Sequence, residues 1–221
     1  MKTKARSIEQ IVEEQVQRWQ LSRIEEVKKP LPPVITVSRE PGSGGQVVAE
    51  QVARKMGYDY FHQEVIHRMA KSAQTSVRML ETLDEKGLNT LEESISSLVN
   101  DRHLWPDQYL RHLLKIVGTI GKHGGAVIVG RGANFIVEKE RLVRVRVIAP
   151  REIRVENVAS RHDVRREAAE KRILRTEADR KAFIRKYFYA DIADPVNYDL
   201  IVNTGHFSIE QAVAIVVAAL G

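Results

Sequence analysis

Four consecutive β-branched residues, Val34-Ile35-Thr36-Val37, run into the turn Ser38-Arg39-Glu40-Pro41-Gly42-Ser43-Gly44-Gly45-Gln46. Such a run predicts a short buried strand. Beyond the turn, Val48, Val52 and Met56 fall on one face of a helix predicted over 47–56. A strand, a glycine-rich turn and a helix together form a phosphate-binding arrangement. Backbone N–H groups converge in the turn, and the helix N-terminus adds partial positive charge. Gly42, Gly44 and Gly45 let a ligand approach the backbone with no Cβ in the way.

The same alternation continues along the chain. Strands are expected at 58–61, 126–129, 142–148 and 199–203, the third of these carrying Arg144 and Arg146 between apolar residues. Between them lie helical patterns: a long stretch to about Lys122 with breaks at Gly87 and Trp105-Pro106, another from Arg151 to about Tyr189, and a closing helix from Ser208, a plausible N-cap, to Leu220. Strands that alternate with helices imply an α/β fold with a parallel sheet covered on both faces. Asp194-Pro195 with Tyr198-Asp199 reads as a turn into the last strand.

A separate helix is expected ahead of this unit. Ser7-Ile8-Glu9-Gln10 has the form of a capping box, and Ile8, Ile11, Val12, Val16, Trp19, Ile24 and Val27 follow near helical spacing. Lys29-Pro30-Leu31-Pro32-Pro33 stops it. Residues 1–33 are thus an arm with two readings: it lies on its own domain, or it mediates homodimerisation through Trp19. Trp19 and Trp105 both suit packing or interface anchors.

Composition narrows the chemistry. The 221 residues are 43% hydrophobic, enough for a substantial core, and include no cysteine. Disulfide scaffolds, thiolate zinc sites, iron–sulfur clusters and cysteine nucleophiles are therefore excluded. The N-terminus is basic without an apolar stretch, and no run approaches the roughly 18 apolar residues of a membrane helix. A cytoplasmic protein with no membrane partner is expected. The net charge is +6, and residues 139–186 hold 16 basic against 8 acidic side chains. Residues 187–221 hold no basic group and 4 acidic ones. Such a basic segment suits nucleotide phosphates, nucleic acid or another polyanion.

The turn departs from the P-loop pattern G-x-x-x-x-G-K-[ST]. With Gly44 as the second glycine, Arg39 replaces the first, Gly45 the lysine and Gln46 the hydroxyl residue. The chain nevertheless resembles the cytidylate kinase-like family, a branch of the P-loop nucleoside monophosphate kinases, over about residues 34–219. The resemblance rests on ITVSREPGSGGQVVAEQVARKMGYDYF at 35–61, VIVGRGANFI at 127–136 and YDLIVNTGHFSIEQAV at 198–213. The branch typically reads GSGG at this turn.

The resemblance implies a three-layer α/β/α P-loop kinase-like fold with a five-stranded parallel sheet over 34–221. It implies a helical insertion at about 62–123 and a basic lid at about 163–190. The implied reaction moves the γ-phosphoryl of ATP, with Mg²⁺, to a nucleoside monophosphate such as CMP. Gly42, Ser43, Gly44, Gly45 and Gln46 would hold the donor phosphates. Arg68, Arg131, Arg172 and Arg185 would bind substrate, and Arg39, Arg131, Arg175 and Arg180 would serve catalysis. No protein metal ligand is implied. Where the parent enzymes read DTG and GRD, this chain has His62 and Gly132 in place of the aspartates, with Val129 ahead of Gly130. Arg39 is expected to supply the charge of the missing lysine.

Two further readings stand beside this one. The missing lysine and acidic groups suit a non-catalytic nucleotide-binding or regulatory protein on a kinase scaffold. A nucleic-acid binder through 139–186 ranks last, because the segment lacks aromatic interleaving. Arg144 and Arg146 are expected to face solvent. The lid arginines have a second reading, pairing with Glu167, Glu170, Glu177 and Asp179 along a helical face. His62 and His67 are not at metal-ligand spacing. Ser43 has no histidine–acid pair arranged around it.

Overall fold

A computed structural model of the chain describes residues 7–25, 31–104 and 106–220. The stop at Lys29-Pro30, Val27 and Trp105 lie outside them, as do the side chains of Ile8 and Ile24. The unit begins with β1 (Val34–Arg39), the glycine turn and α2 (Gly45–Met56), preceded by α1 (Ile8–Glu25). Then come β2 (Asp59–Phe61), α3 (Gln63–Ala70), α4 (Ala73–Leu80), α5 (Glu85–Asp101) and α6 (Gln108–His123). The chain continues through β3 (Ala126–Val129), the single turn α7 (Ala133–Ile136), β4 (Leu142–Ile148), α8 (Arg151–His162) and α9 (Arg166–Phe188). It closes with β5 (Leu200–Asn203) and α10 (Ile209–Ala218).

All strand pairings are parallel, in the order β2-β3-β1-β4-β5. Val34 is in register with Ala126 on one side and Leu142 on the other. β1 is buried along its whole length, so its alternate residues feed two cores. Ile35, Val37, Val127, Val129, Val145 and Val147 pack toward α2 and α10. Val34, Ala126 and Ile128 pack on the opposite face with α3, α4 and α6. Each fully buried Val or Ile contributes about 1.5–3 kcal/mol, so the two cores fix the sheet between its helical layers. No helix among the described residues is long and apolar enough to cross a membrane.

Helix boundaries follow local chemistry. The capping boxes of Ser7 with Gln10 and of Ser208 with Gln211 both form. The break expected at Gly87 does not. Asp84 caps α5 by accepting from the Gly87 N–H at 2.7 Å, which pulls the glycine inside the helix, while the chain breaks at 71–72 and 81–84 instead. The break around 102–107, which holds Pro106, does occur.

Three apolar residues of α1 are spent within the chain. Val12, Val16 and Trp19 are buried in the core that holds α3, α4 and α6. Trp19 stacks on His123 with ring centroids 3.9 Å apart. Arg18 pairs with Asp59 at 2.7 Å, and Arg78 pairs with Glu13. Trp19, on which the reading of a dimerisation arm rested, is therefore internal packing together with Val12 and Val16. Trp19→Ala is expected to cost about 3 kcal/mol and to lower the melting temperature by roughly 10 °C. A change in sedimentation with no change in melting would contradict this docking.

Candidate active site

The site is built at the C-terminal edge of β1, β3 and β4, where open parallel sheets leave room for ligands. Gly42 and Gly44 adopt φ of +82° and +72°. A Cβ on Gly42 would lie 2.4 Å from the Arg154 carbonyl oxygen, so the turn sits directly on α8. Asn157 Nδ2 donates to the Gly42 carbonyl at 2.8 Å. Ser43 is buried, and its hydroxyl donates to the Glu40 and Val147 carbonyls. That leaves Ser43 a structural role in the turn and no freedom to act as a nucleophile. Glu40 accepts from the Ala149 N–H at 3.1 Å and faces Arg154 at 3.4 Å, so its carboxylate is already engaged.

Three arginines converge beside the turn. Arg39 and Arg180 are linked by a bond from Arg180 Nη1 to the Arg39 carbonyl, 2.7 Å. Arg39 also donates from Nη2 to Gln63 Oε1 at 2.5 Å. Arg131 follows β3 in a turn where Gly130, Arg131 and Gly132 all have positive φ, at 75°, 55° and 68°. A non-glycine residue held in that region stores strain, which is typical of functional sites. Its guanidinium lies over the Phe183 ring, 5.3 Å from the centroid. Gly132 packs so closely that a Cβ there would meet Phe188 at 2.1 Å. The aspartate of the GRD pattern therefore has no room at this position.

Cations outnumber anions here, where Asp179 and Glu40 are the acidic side chains that line the site's cavities. Among the described residues no carboxylate forms an ion pair with Arg39, Arg131 or Arg180. Burial, with Arg180 nearby, pulls the Arg39 guanidinium down to about 9. Burial and then Arg131 and Arg146 pull Arg180 down to about 10. Both remain protonated at neutral pH. The Nε atoms of Arg131 and Arg180 are buried with no hydrogen-bond partner. Unpaired buried donors and mutually repelling cations call for a bound anion.

Two cavities share this wall. One of about 510 Å³ is lined by the glycine turn, Gln46, Arg161, Arg172 and Ile209. The other, of about 320 Å³, is lined by Ser38, Gln63, Arg131, Asn134, Phe183 and Tyr198 among others. Arg39, Thr176 and Arg180 line both.

The structure brings together Arg39, Arg131 and Arg180 with Gly42, Gly44, Gly45 and Gln46, while Ser43 lies buried beneath the turn. Arg172 reaches the glycine-turn cavity. Arg68, Arg175 and Arg185 are exposed and line neither cavity; Arg68 pairs with Glu64 at 3.4 Å. The expectation that Arg144 and Arg146 face solvent is corrected. Arg146 is 7% exposed, donates to Ser38 Oγ and lies over the Tyr198 ring. Arg144 pairs with Asp199. Its partner Asp199 lies on the adjacent β5 side of the sheet, and Ser38 is the β1 neighbour of Arg146, so the alternating pattern follows strand pairing rather than exposure. Elsewhere in the basic segment, Arg166 pairs with Glu152 and Glu170, and Arg154 with Glu177. Much of its charge is thus balanced locally or turned into the cavities. Gln63, Thr176 and Phe183 lie outside the motifs that carry the resemblance, and Asn134 and Tyr198 lie within them but were assigned no role at the site.

His62 caps α3, its Nδ1 accepting from the Glu64 N–H at 3.2 Å. Burial and Arg39 hold it below the ordinary imidazole range; burial and Arg131 do the same to His67. Unfolded histidines take up a proton near 6.5, whereas these two resist it, so the unfolded chain binds more protons below that pH. Stability should therefore be fully present above about pH 6.5 and fall as pH drops further. Melting curves from pH 7.5 to 5.5 should show this slope, and His62→Asn, which keeps a good cap, should flatten it. An identical slope in the variant would remove His62 from the account. Among the described residues no cluster of His, Asp and Glu could hold a metal.

Comparisons with known proteins agree with this geometry. The model of the cytidylate kinase-like family matches residues 34–206. The cytidylate kinase of Pyrococcus horikoshii is 30% identical over 188 residues, covering 85% of this chain and 88% of its own. That of Methanocaldococcus jannaschii is 24% identical over 191 residues, covering 85% and 97%. A crystal structure of an uncharacterized protein from Eubacterium ventriosum superimposes with a TM-score of 0.59 at 18% identity, over 85% of this chain and 98% of that one. That likeness shows the fold. With the family match spanning every strand of the sheet and the glycine turn at its edge, the chain belongs to the cytidylate kinase-like family.

Proposed function

We propose that this protein is a phosphotransferase of the nucleoside monophosphate kinase kind, moving the γ-phosphoryl group of ATP to a nucleoside monophosphate, with CMP the first acceptor to test. The observation that carries the proposal is the pair of cavities that meet at Arg39 and Arg180. One is walled by a glycine turn and a helix N-terminus, which suits a triphosphate. The other holds Arg131 with polar groups and an aromatic ring, which suits a second, phosphorylated ligand. Family membership and relatives named cytidylate kinase support the same reaction class.

ATP fits the residues present. Gly42, Gly44 and Gly45 give the phosphates access to backbone N–H groups, and Arg172 and Arg180 face them from the lid helix α9. Among the described residues there is no cage for Mg²⁺: Gln46 replaces the hydroxyl residue, and Glu40 is engaged by Ala149 and Arg154. The metal would arrive on the triphosphate, whose oxygens and water would hold it, as is usual for this ion. Within the site, Arg131 orients the acceptor's phosphate, while Arg39 and Arg180 neutralise charge between the two nucleotides. Phosphoryl transfer asks for positioning and charge neutralisation, which these groups supply.

A coupled assay across the common nucleoside monophosphates should show ATP-dependent turnover, highest with CMP. The absent lysine favours one rival, a nucleotide-binding protein without transfer. Calorimetric binding of ATP and CMP with no turnover above background would select that rival.

A further inference from the structure

The activity proposed above does not say how a site without the helix-start lysine meets its phosphates, and the following inference rests on that reading. Arg39 ends β1, and Gly45 begins α2 six residues later. A Cβ on Gly45 would lie 2.6 Å from Arg39 Cβ, 3.3 Å from Arg39 Cγ and 2.8 Å from Val147 Cβ. Both Cβ atoms are fixed by strand backbone and cannot swing away. Arg39 and Val147 together therefore exclude a side chain at 45, with Arg39 making two of the three close approaches. The displaced cation is not lost. The Arg39 side chain runs from beneath Gly45 to the β3 turn, where Nη1 lies 2.7 Å from the point a Cβ on Gly130 would occupy. It thus spans from the donor side to the acceptor side of the site, and it lines both cavities.

We propose that Arg39 is the shared phosphate cation of this site, contacting the donor's terminal phosphate and the acceptor's phosphate together, and that Gly45 is glycine because Arg39, with Val147 beside it, occupies the space a lysine there would need. In the transfer, an oxygen of the acceptor phosphate bonds to the γ-phosphorus. The bond from that phosphorus to the β–γ bridging oxygen breaks, and its electron pair stays on the diphosphate product. No proton has to move. Before that step two anions must approach each other, and a cation fixed between them offsets their repulsion.

Calorimetry with ATP alone and CMP alone tests the shared contact. Arg39→Met should weaken both ligands by roughly 10-fold or more, the scale of one lost charged hydrogen bond. Arg39→Lys should recover part of both. Arg172→Met should weaken ATP alone and Arg131→Met CMP alone. If Arg39→Met leaves either affinity unchanged, or the wild-type chain binds no CMP, the shared cation is overturned. Loss of both affinities in a wild-type background that shows no turnover would keep the cation and discard the transfer reaction. Melting curves test the steric half without nucleotide. Gly45→Ala should lower the melting temperature by on the order of 5 °C, and by clearly less when Arg39→Gly is also present. Strictly additive shifts would overturn the reciprocity.

Discussion

Gly42→Ala should lose ATP affinity by about two orders of magnitude and lower the melting temperature by roughly 10 °C. The added Cβ would meet the Arg154 carbonyl oxygen at 2.4 Å and its carbonyl carbon and Cα at 2.9 Å. These are backbone atoms inside α8, so no rotamer change relieves the overlap. The φ of +82° adds the left-handed penalty of about 1–2 kcal/mol that an L-residue incurs. The turn can relax only by moving off α8. That movement would stretch the Asn157–Gly42 hydrogen bond and the Glu40–Ala149 hydrogen bond together. Overpacking of this kind typically costs about 1–3 kcal/mol beyond the backbone term. The phosphate-binding N–H groups would move with the turn, so the loss in affinity should exceed the loss in stability. Gly57→Ala provides the control. Gly57 has φ +69°, and a Cβ there would meet nothing within 4 Å. It should show the backbone penalty alone and leave ATP binding intact. Equal effects from the two substitutions would mean that contact with α8 does not hold the turn.

Much of the fold was legible because strand pattern and turn chemistry are local signals. The strands at 126–129 and 142–148 have the expected bounds, and β1 runs two residues beyond the β-branched stretch, to Arg39. Those two residues matter: Ser38 and Arg39 are polar, yet both are buried, in register with Arg146 and Val147 of β4. Sequence spacing does not reveal such flanking. Arg146 was hidden likewise: its alternation with valines mimics an exposed strand face, although Ser38 of β1 and the Tyr198 ring enclose it. Gly87 misled in the opposite direction, since the Asp84 cap three residues earlier outweighed a weak helix former. In the site, the glycines and Arg131 were legible from motif position. The convergence of Arg39 with Arg180 was not, because 141 residues separate them and only the packing of α9 against the sheet edge joins them. The lid arginines read from the sequence as one set. Helical geometry divides them: Arg180 turns inward, Arg172 is exposed but borders the glycine-turn cavity, and Arg175 and Arg185 turn to solvent away from both cavities.

That division yields the second large effect. Arg180→Met should lower kcat by about 10³-fold, the low end of what a charge-stabilising arginine contributes to phosphoryl transfer. Methionine keeps much of the buried stem, so the loss reports charge and hydrogen bonding rather than packing. Arg180 Nη1 holds the Arg39 carbonyl, and its Nε is buried without a partner while its guanidinium borders both cavities. Burial and the neighbouring arginines already strain the cation in the free protein. Its removal should therefore leave stability unchanged or raise it slightly while turnover falls, because like charges destabilise the empty site and serve only the charged complex. Arg180→Lys should restore a minor part, since an ammonium lacks the planar fork that can meet two oxygens at once. Arg175→Met and Arg185→Met, on the exposed faces of the same helix, should keep kcat within roughly twofold of the parent, as surface substitutions generally do. If all three methionine variants lost activity alike, the basic segment would act as a diffuse field. If only Arg180→Met did, the excess charge of residues 139–186 would act through the inward-facing arginine at the junction of the two cavities.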